Sequence, residues 1–316
     1  MLSSLFGQSF LTLLDLSTEE ILGLLDLADS VKKQRREGEI RRRFEGKAMA
    51  LIFEKRSTRT RCAFETAFGE EGGYPVFLSG QDIHLGVKET IEDTARVLGR
   101  MFDAIQFRGY EQRTVELLSE YSGVPVYNGL TDAYHPTQAL ADLQTFRESY
   151  GSLAGGRIAY VGDGRNNVAT SLMIASAKVG LNLSIAAPES LEPSKDTMVA
   201  CKPLAEASGS QIEVTADPME AVDGADAIYT DVWVSMGEES KSADRVKLLT
   251  PYRVDEKMMA ASKKDSTIFL HCLPAVRGNE VTDAVMDGPA SRVFDQAENR
   301  KHTIKALMIA TLLRQK

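Results

Sequence analysis

Short apolar, β-favouring runs alternate with segments of helical period along most of the chain, and this alternation restricts the fold more than any other feature of the sequence. Ala48–Phe53, Tyr74–Leu78, Ala104–Phe107 and Val124–Tyr127 read as strands. Helical patterns follow them at Cys62–Phe68, Ile91–Phe102, Thr114–Tyr121 and from His135 to about Arg147. The glycine-rich stretch Gly151–Gly156 interrupts the pattern, which then restarts with strands at Arg157–Val161, Asn182–Ala187, Gln211–Thr215, Ala227–Thr230 and Thr267–Leu270. Parallel strands need a crossover between them, usually a helix, so this order predicts parallel sheets. At 316 residues the chain exceeds the usual single-domain size. The expectation is α/β: two doubly wound parallel-sheet domains, 1–147 and 148–296, with the active site in the cleft between them. A last helix near Asn299–Arg314, within 297–316, is expected to pack back on the first domain. Ahead of the sheet, Ser17-Thr18-Glu19-Glu20 has capping-box spacing, and Ile21, Leu24, Leu25, Ala28 and Val31 recur at helical intervals.

Composition narrows the function. A hydrophobic share of 43% with 26% charged residues is that of a soluble globular protein. The net charge of −8 and a pI near 5.2 argue against nucleic acid or an anionic membrane as partner. The basic run in Lys55–Arg61 therefore points to a small anion, and Lys32–Arg43, which mixes both signs, to a solvated helix end and loop. Cys62, Cys201 and Cys272 cannot all pair and lack metal-type spacing, so a reducing, cytoplasmic setting is expected. No segment has the length of a membrane span.

In doubly wound sheets ligands bind outside the carboxyl ends of the strands. Polar clusters follow the strand-like runs here: Ser57–Arg61, Arg108, His135–Gln138, Asn166-Asn167, Asp231–Glu239 and His271-Cys272. The first is the most informative. An apolar strand gives way to a hydroxyl-rich turn and then a helix start, where free N–H groups and the helix dipole favour an anion. Ser57, Thr58 and Thr60 add hydroxyl donors and Arg59 a charged fork, so a phosphate fits. Each cluster also has a plain reading: a helix cap at Ser57, a turn residue at His135 before Pro136, a surface cation at Arg108. Gly162–Asn167 resembles a dinucleotide loop, but Asn167 stands where the third glycine belongs. His271 and Cys272 are adjacent on an extended run and point opposite ways, which disfavours a Cys–His dyad and leaves a buried small hydrophobe as the plain reading of the thiol.

Four motifs occur in the order and spacing of one family: Ser57-Thr58-Arg59-Thr60-Arg61, His135-Pro136-Thr137-Gln138, Asp231-Val232-Trp233-Val234-Ser235-Met236-Gly237 and His271-Cys272-Leu273-Pro274. The chain resembles the aspartate/ornithine carbamoyltransferase family from about Phe10 to the last helix, with the third and fourth motifs in the form of its ornithine-specific branch. The resemblance implies transfer of the carbamoyl group of carbamoyl phosphate to the δ-amine of L-ornithine, giving L-citrulline and phosphate in arginine biosynthesis, without metal or cofactor. Ser57, Thr58, Arg59 and Thr60 would hold the phosphate. Arg108 and His135 would meet the carbonyl oxygen, Gln138 and the Leu273 carbonyl the carbamoyl amide, and Arg300 would complete the set. His84 matches a residue that the family inserts into a neighbouring subunit's site, which implies a homotrimer with shared active sites. Asn167, Asp231, Ser235 and the Met236 backbone would bind ornithine, and Cys272 would stand beside its δ-nitrogen. Arg108, His135 and Cys272 are thus the catalytic candidates. Two departures from the family pattern stand out: Arg165 lengthens the asparagine turn, leaving Asn166 an alternative to Asn167, and the segment Ala275–Glu280 is short.

Other acceptors for the same chemistry are putrescine, acetylornithine or aspartate, and a catabolic ornithine enzyme would run the reaction in reverse. From other classes, a nicotinamide-dependent oxidoreductase would use the second α/β unit, against the broken glycine pattern and Ala186-Ala187 at the end of the next strand. A non-catalytic relative would need a motif residue lost, and none is.

Overall fold

A computed structural model describes residues 2–314 apart from 82, 84, 87 and 235–241. The chain divides into two compact units, Met1–Ala141 with Glu298–Lys316, and Asp142–Ala297.

In the first unit, helix α1 (Thr18–Arg36) opens with the expected capping box: Ser17 Oγ accepts the Glu20 N–H at 3.1 Å while Glu20 accepts the Ser17 N–H at 2.8 Å. Ile21, Leu24, Leu25, Ala28 and Val31 form its buried stripe. The alternation then follows as β1 (Ala48–Phe53), α2 (Thr58–Gly69), β2 (Tyr74–Ser79), α3 (Ile91–Met101), β3 (Ala104–Arg108), α4 (Gln112–Ser122), β4 (Val126–Leu130) and the start of α5 (Pro136–Tyr150), which from Asp142 on belongs to the second unit. The sheet is parallel, in the order β2-β1-β3-β4. The chain goes from β1 to β2 on one side and then back past β1 to β3 on the other, so the strand order reverses between β1 and β3, the kind of switch point that opens a crevice at the strand ends. Helices α3 and α4 approach closely, since a Cβ on Gly99 would meet the Ser122 carbonyl oxygen at 1.8 Å.

The second unit restarts with β5 (Arg157–Val161), α6 (Asn167–Val179), β6 (Asn182–Ala186), α7 (Lys195–Ser208), β7 (Ile212–Thr215), α8 (Pro218–Val222), β8 (Ala227–Thr230), α9 (Ser242–Leu249), α10 (Glu256–Ala261), β9 (Ile268–His271) and α11 (Asp283–Met286). Its five parallel strands run β7-β6-β5-β8-β9, so the order reverses between β5 and β8. The fold class expected from the alternation is therefore observed in both units. Among the described residues no helix is long and apolar enough to cross a membrane.

The final helix, α12 (Val293–Leu312), begins six residues before the sequence pattern suggested. Its first turn is held by tertiary contacts that periodicity does not show: Val293 is fully buried and the Arg292 N–H donates to the Phe269 carbonyl at 2.9 Å. The charged run Lys32–Arg43, which forms the end of α1 and the loop after it, is mostly exposed, as its composition suggests. Lys32 is the exception, buried and donating to Asn299 at 2.6 Å.

His302 on α12 is fully buried, its Nε2 3.0 Å from Glu298. Burial pulls its pKa from 6.5 down to about 4, against the opposing hydrogen bond to Glu298. Between those values the unfolded chain binds the proton and the folded chain does not, so stability is present above pH 6.5 and is lost as pH falls toward about 4. Denaturant titrations at pH 7 and pH 5 should give a stability loss about 2 kcal/mol larger in the parent than in His302→Gln. Equal losses would show that this imidazole is not the source.

Candidate active site

Each unit carries a cluster at its switch point. In the first, β1 ends at Phe53 and Ser57 caps α2, its hydroxyl oxygen accepting the Thr60 N–H at 3.2 Å. No acidic side chain occupies the first turn of this helix, so the positive end of its dipole is uncompensated. Thr58 and Arg59 stand at the opening, and Thr60 points inward and is fully buried. Arg108 ends the neighbouring β3, where pairing with β4 shifts register between Phe107 and Arg108. Arg108 donates to Thr60 Oγ1 at 3.2 Å, and Arg300 donates to the same oxygen at 2.9 Å. With both lone-pair directions taken by guanidinium groups, the Thr60 hydroxyl has its own proton left to give away.

His135 precedes α5 and is buried. Its pKa is driven well below 6.5, first by burial and then by the charges of Arg300, Arg108 and Arg59. The imidazole is therefore neutral and lies among three guanidinium groups. Gln138 is buried one turn along the same helix. Cations whose charges reach one imidazole, with the Thr60 and Thr137 hydroxyls and the Gln138 amide nearby, have the chemistry that suits an anion.

The basic run in Lys55–Arg61 divides by role. Lys55 is buried, paired with Asp132 and set 4.3 Å from the Tyr110 ring centroid, and Arg61 pairs with Glu65 at 2.9 Å while covering the Phe77 ring. Of the run, Arg59 is the one whose charge reaches His135. A cavity of about 680 Å³ opens beside the α2 start, with Ser57, Thr58, Arg56, Arg61 and Cys62 on its wall.

In the second unit, Gly162 takes φ +140° directly after β5, a conformation that suits glycine, and the loop leads to Asn166 as the N-cap of α6. Asn166 Oδ1 accepts the Ala169 N–H at 2.7 Å, and Nδ2 faces Tyr160 Oη at 2.7 Å and Asp231 Oδ2 at 3.3 Å. Asp231 follows β8 and is buried; burial is the main cause of its raised pKa. Its Oδ1 accepts the Val232 N–H at 2.7 Å and the Cys272 thiol at 2.9 Å. Cys272 is therefore more than a small hydrophobe: it belongs to the hydrogen-bonded set around the carboxylate. His271 Nδ1 accepts the Leu273 N–H at 2.8 Å, and its Nε2 lies 3.5 Å from Glu280. Leu273 itself sits at φ +59°. The ligand atoms of Asp231, His271 and Cys272 lie within 4.8 Å of one another, close enough for a cation, yet the Cys272 thiol proton and the His271 Nδ1 lone pair are already engaged in hydrogen bonds.

Of the residues expected from sequence, Thr60, Arg108, His135 and Arg300, with Arg59, gather in the first unit, and Asp231 and Cys272 in the second. Asn167 begins α6, and its carbonyl accepts the Ser171 hydroxyl at 2.7 Å. His84, Ser235 and Met236 lie outside the described residues. Sequence reasoning missed two partners. Thr137, whose hydroxyl is 3.5 Å from Arg300, was visible only as part of His135-Pro136-Thr137-Gln138. Tyr160, the partner of Asn166, looks like any core aromatic of a strand.

Two parallel α/β units, one with a cationic hydroxyl-lined site at a helix start and the other with a buried carboxylate, define a class that handles a phosphorylated small molecule and an amine. The description "Aspartate/ornithine carbamoyltransferase, carbamoyl-P binding domain" fits residues 8–148, and "Asp/Orn binding domain" of the same group fits residues 154–311. The ornithine carbamoyltransferase of Caldanaerobacter subterraneus subsp. tengcongensis is 61% identical, covering 99% of this chain and all of that protein. A catabolic ornithine carbamoyltransferase of Bacillus licheniformis is 52% identical over 98% of this chain and 97% of its own length. The solved ornithine carbamoyltransferase of Pyrococcus furiosus superposes with a TM-score of 0.95 at 46% identity, covering 99% of each chain. The chain belongs to the aspartate/ornithine carbamoyltransferase family.

Proposed function

We propose that the chain transfers the carbamoyl group of carbamoyl phosphate to the δ-amine of L-ornithine, giving L-citrulline and phosphate. The observation that carries this reading is that Arg108 and Arg300 both donate to Thr60 Oγ1, while their charges and that of Arg59 reach a neutral His135. The start of α2, the Ser57, Thr58 and Thr60 hydroxyls and Arg59 hold the phosphate. Thr60, Arg108 and His135 donate to the carbonyl oxygen, where negative charge grows as the carbon becomes tetrahedral. A neutral His135 suits that task, because it gives one N–H without adding a fourth positive charge. Gln138 and the Leu273 carbonyl orient the carbamoyl amide. Asp231 supplies the charge that an ammonium group needs in a buried place, with Asn167, Ser235 and the Met236 backbone completing the amino-acid site. Cys272 stands beside the δ-nitrogen as a positioning group, since the amine is itself the nucleophile. The neutral amine attacks the carbonyl carbon, the tetrahedral intermediate collapses as the C–O bond to phosphate breaks, and one amine proton leaves on the departing phosphate.

The same reading takes the enzyme as cytoplasmic, as a homotrimer in which His84 of one copy completes its neighbour's site, and as acting in arginine biosynthesis. Citrulline formation with ornithine, putrescine, acetylornithine and aspartate as parallel acceptors tests the acceptor: ornithine alone should give product. Rescue of an arginine auxotroph that lacks this activity tests the direction. Failure to rescue, together with fast phosphorolysis of citrulline, would assign a catabolic role instead.

A further inference from the structure

We propose that Asn166 is the positioning residue for the Asp231 carboxylate, tying it to the fixed N-terminus of α6; the proposal rests on the reading of Asp231 as the amine partner. Strands β5 and β8 are neighbours at the switch point of their sheet, which brings the loop after each to one place. Asn166 follows the first and Asp231 the second. The amide of Asn166 has a fixed orientation, because Oδ1 accepts the Ala169 N–H at 2.7 Å as the helix cap. Nδ2 therefore carries two protons toward two acceptors, Tyr160 Oη at 2.7 Å and Asp231 Oδ2 at 3.3 Å. The other carboxylate oxygen is held by the Val232 N–H and the Cys272 thiol. Both oxygens are thus anchored, one from its own backbone and from Cys272 after β9, the other only through Asn166 among its described contacts. Loss of the Nδ2 donor frees one end of the carboxylate to turn about its Cβ–Cγ bond.

Asn166→Ser separates the two jobs of this side chain. Serine is as good a helix cap as asparagine, so α6 is kept, but its hydroxyl is too short to reach Asp231. The Michaelis constant for ornithine should rise about tenfold, that for carbamoyl phosphate should stay within about twofold, and the melting temperature should hold within a few degrees. Asn166→Asp keeps the cap as well but sets a second carboxylate against Asp231, and should raise the ornithine constant by about 10²-fold. A substrate-free readout accompanies these: alkylation of Cys272 by iodoacetamide, followed by mass spectrometry of its peptide. Turning the carboxylate away removes negative charge from the thiol and should speed its labelling several-fold in Asn166→Ser. Unchanged labelling with unchanged constants overturns the proposal, as does an equal rise for both substrates with a lowered melting temperature. Should the parent protein itself form no citrulline, the functional reading fails, and the labelling rate alone decides: faster labelling upholds the tie and an unchanged rate removes it.

Discussion

Arg59→Ala raises the Michaelis constant for carbamoyl phosphate by about 10²-fold or more, because it removes a fork able to make two charge-assisted hydrogen bonds to one phosphate. Folding should barely notice. Arg59 lies in the first turn of α2, partly exposed, in a turn that holds no acidic residue and where a cation works against the helix dipole. With respect to that dipole, losing the charge is neutral or mildly stabilising. The variant should melt within a few degrees of the parent, and phosphate or carbamoyl phosphate should stabilise it much less than the parent. The ornithine constant, measured at saturating carbamoyl phosphate, should hold. Unchanged carbamoyl phosphate affinity in a folded Arg59→Ala protein would remove Arg59 from the site and leave the anion to Arg108 and Arg300.

Asp231→Asn should cost as much on the other substrate. Taking away one partner of a buried ion pair leaves the other uncompensated, at about 3–5 kcal/mol, so kcat/KM for ornithine should fall by about 10²–10⁴-fold. Whichever way the new amide turns, its NH2 meets a donor, Asn166 Nδ2 on one side or the Val232 N–H on the other, so the variant cannot rebuild the parent's arrangement. Binding of carbamoyl phosphate is the control and should be unchanged. Burial raises the carboxyl pKa, so in the parent the acid limb of kcat/KM for ornithine should lie above the ordinary aspartate range, with activity lost as the pH falls through it. That limb should vanish in Asp231→Asn. A parent-like kcat/KM would place the amine elsewhere.

How much of this was legible in the chain differs from element to element. Ser17 and Glu20 announced α1, and the apolar run Ala48–Phe53 followed by Ser57-Thr58-Arg59-Thr60 announced β1, the turn and α2, because capping and periodicity are local properties. The start of α12 was not legible, since its first turn is fixed by Val293 burial and by a bond to the Phe269 carbonyl some twenty residues away. The same division runs through the clusters. Sequence motifs named Thr60, Arg108, His135, Arg300 and Asp231, but motif spacing does not say which cation of a basic run faces inward. The fold assigns Lys55 to Asp132 and Tyr110, Arg61 to Glu65 and Phe77, and leaves Arg59 near His135.

The sequence by itself determined the α/β class, the order of the elements and the family, because each is written in local period, cap chemistry and motif order. The tertiary structure alone decided what those motif residues are bonded to. Thr60 with Arg108 and Arg300, and Asp231 with Asn166 and Cys272, are contacts between residues 41 to 240 positions apart. Thr60 meets Arg108 and Asn166 meets Asp231 because strand order reverses beside β1 and β5; Cys272 reaches Asp231 because β9 pairs with β8, and Arg300 arrives on α12. Strand order and helix docking are set by packing over the whole unit, which no short stretch of sequence contains.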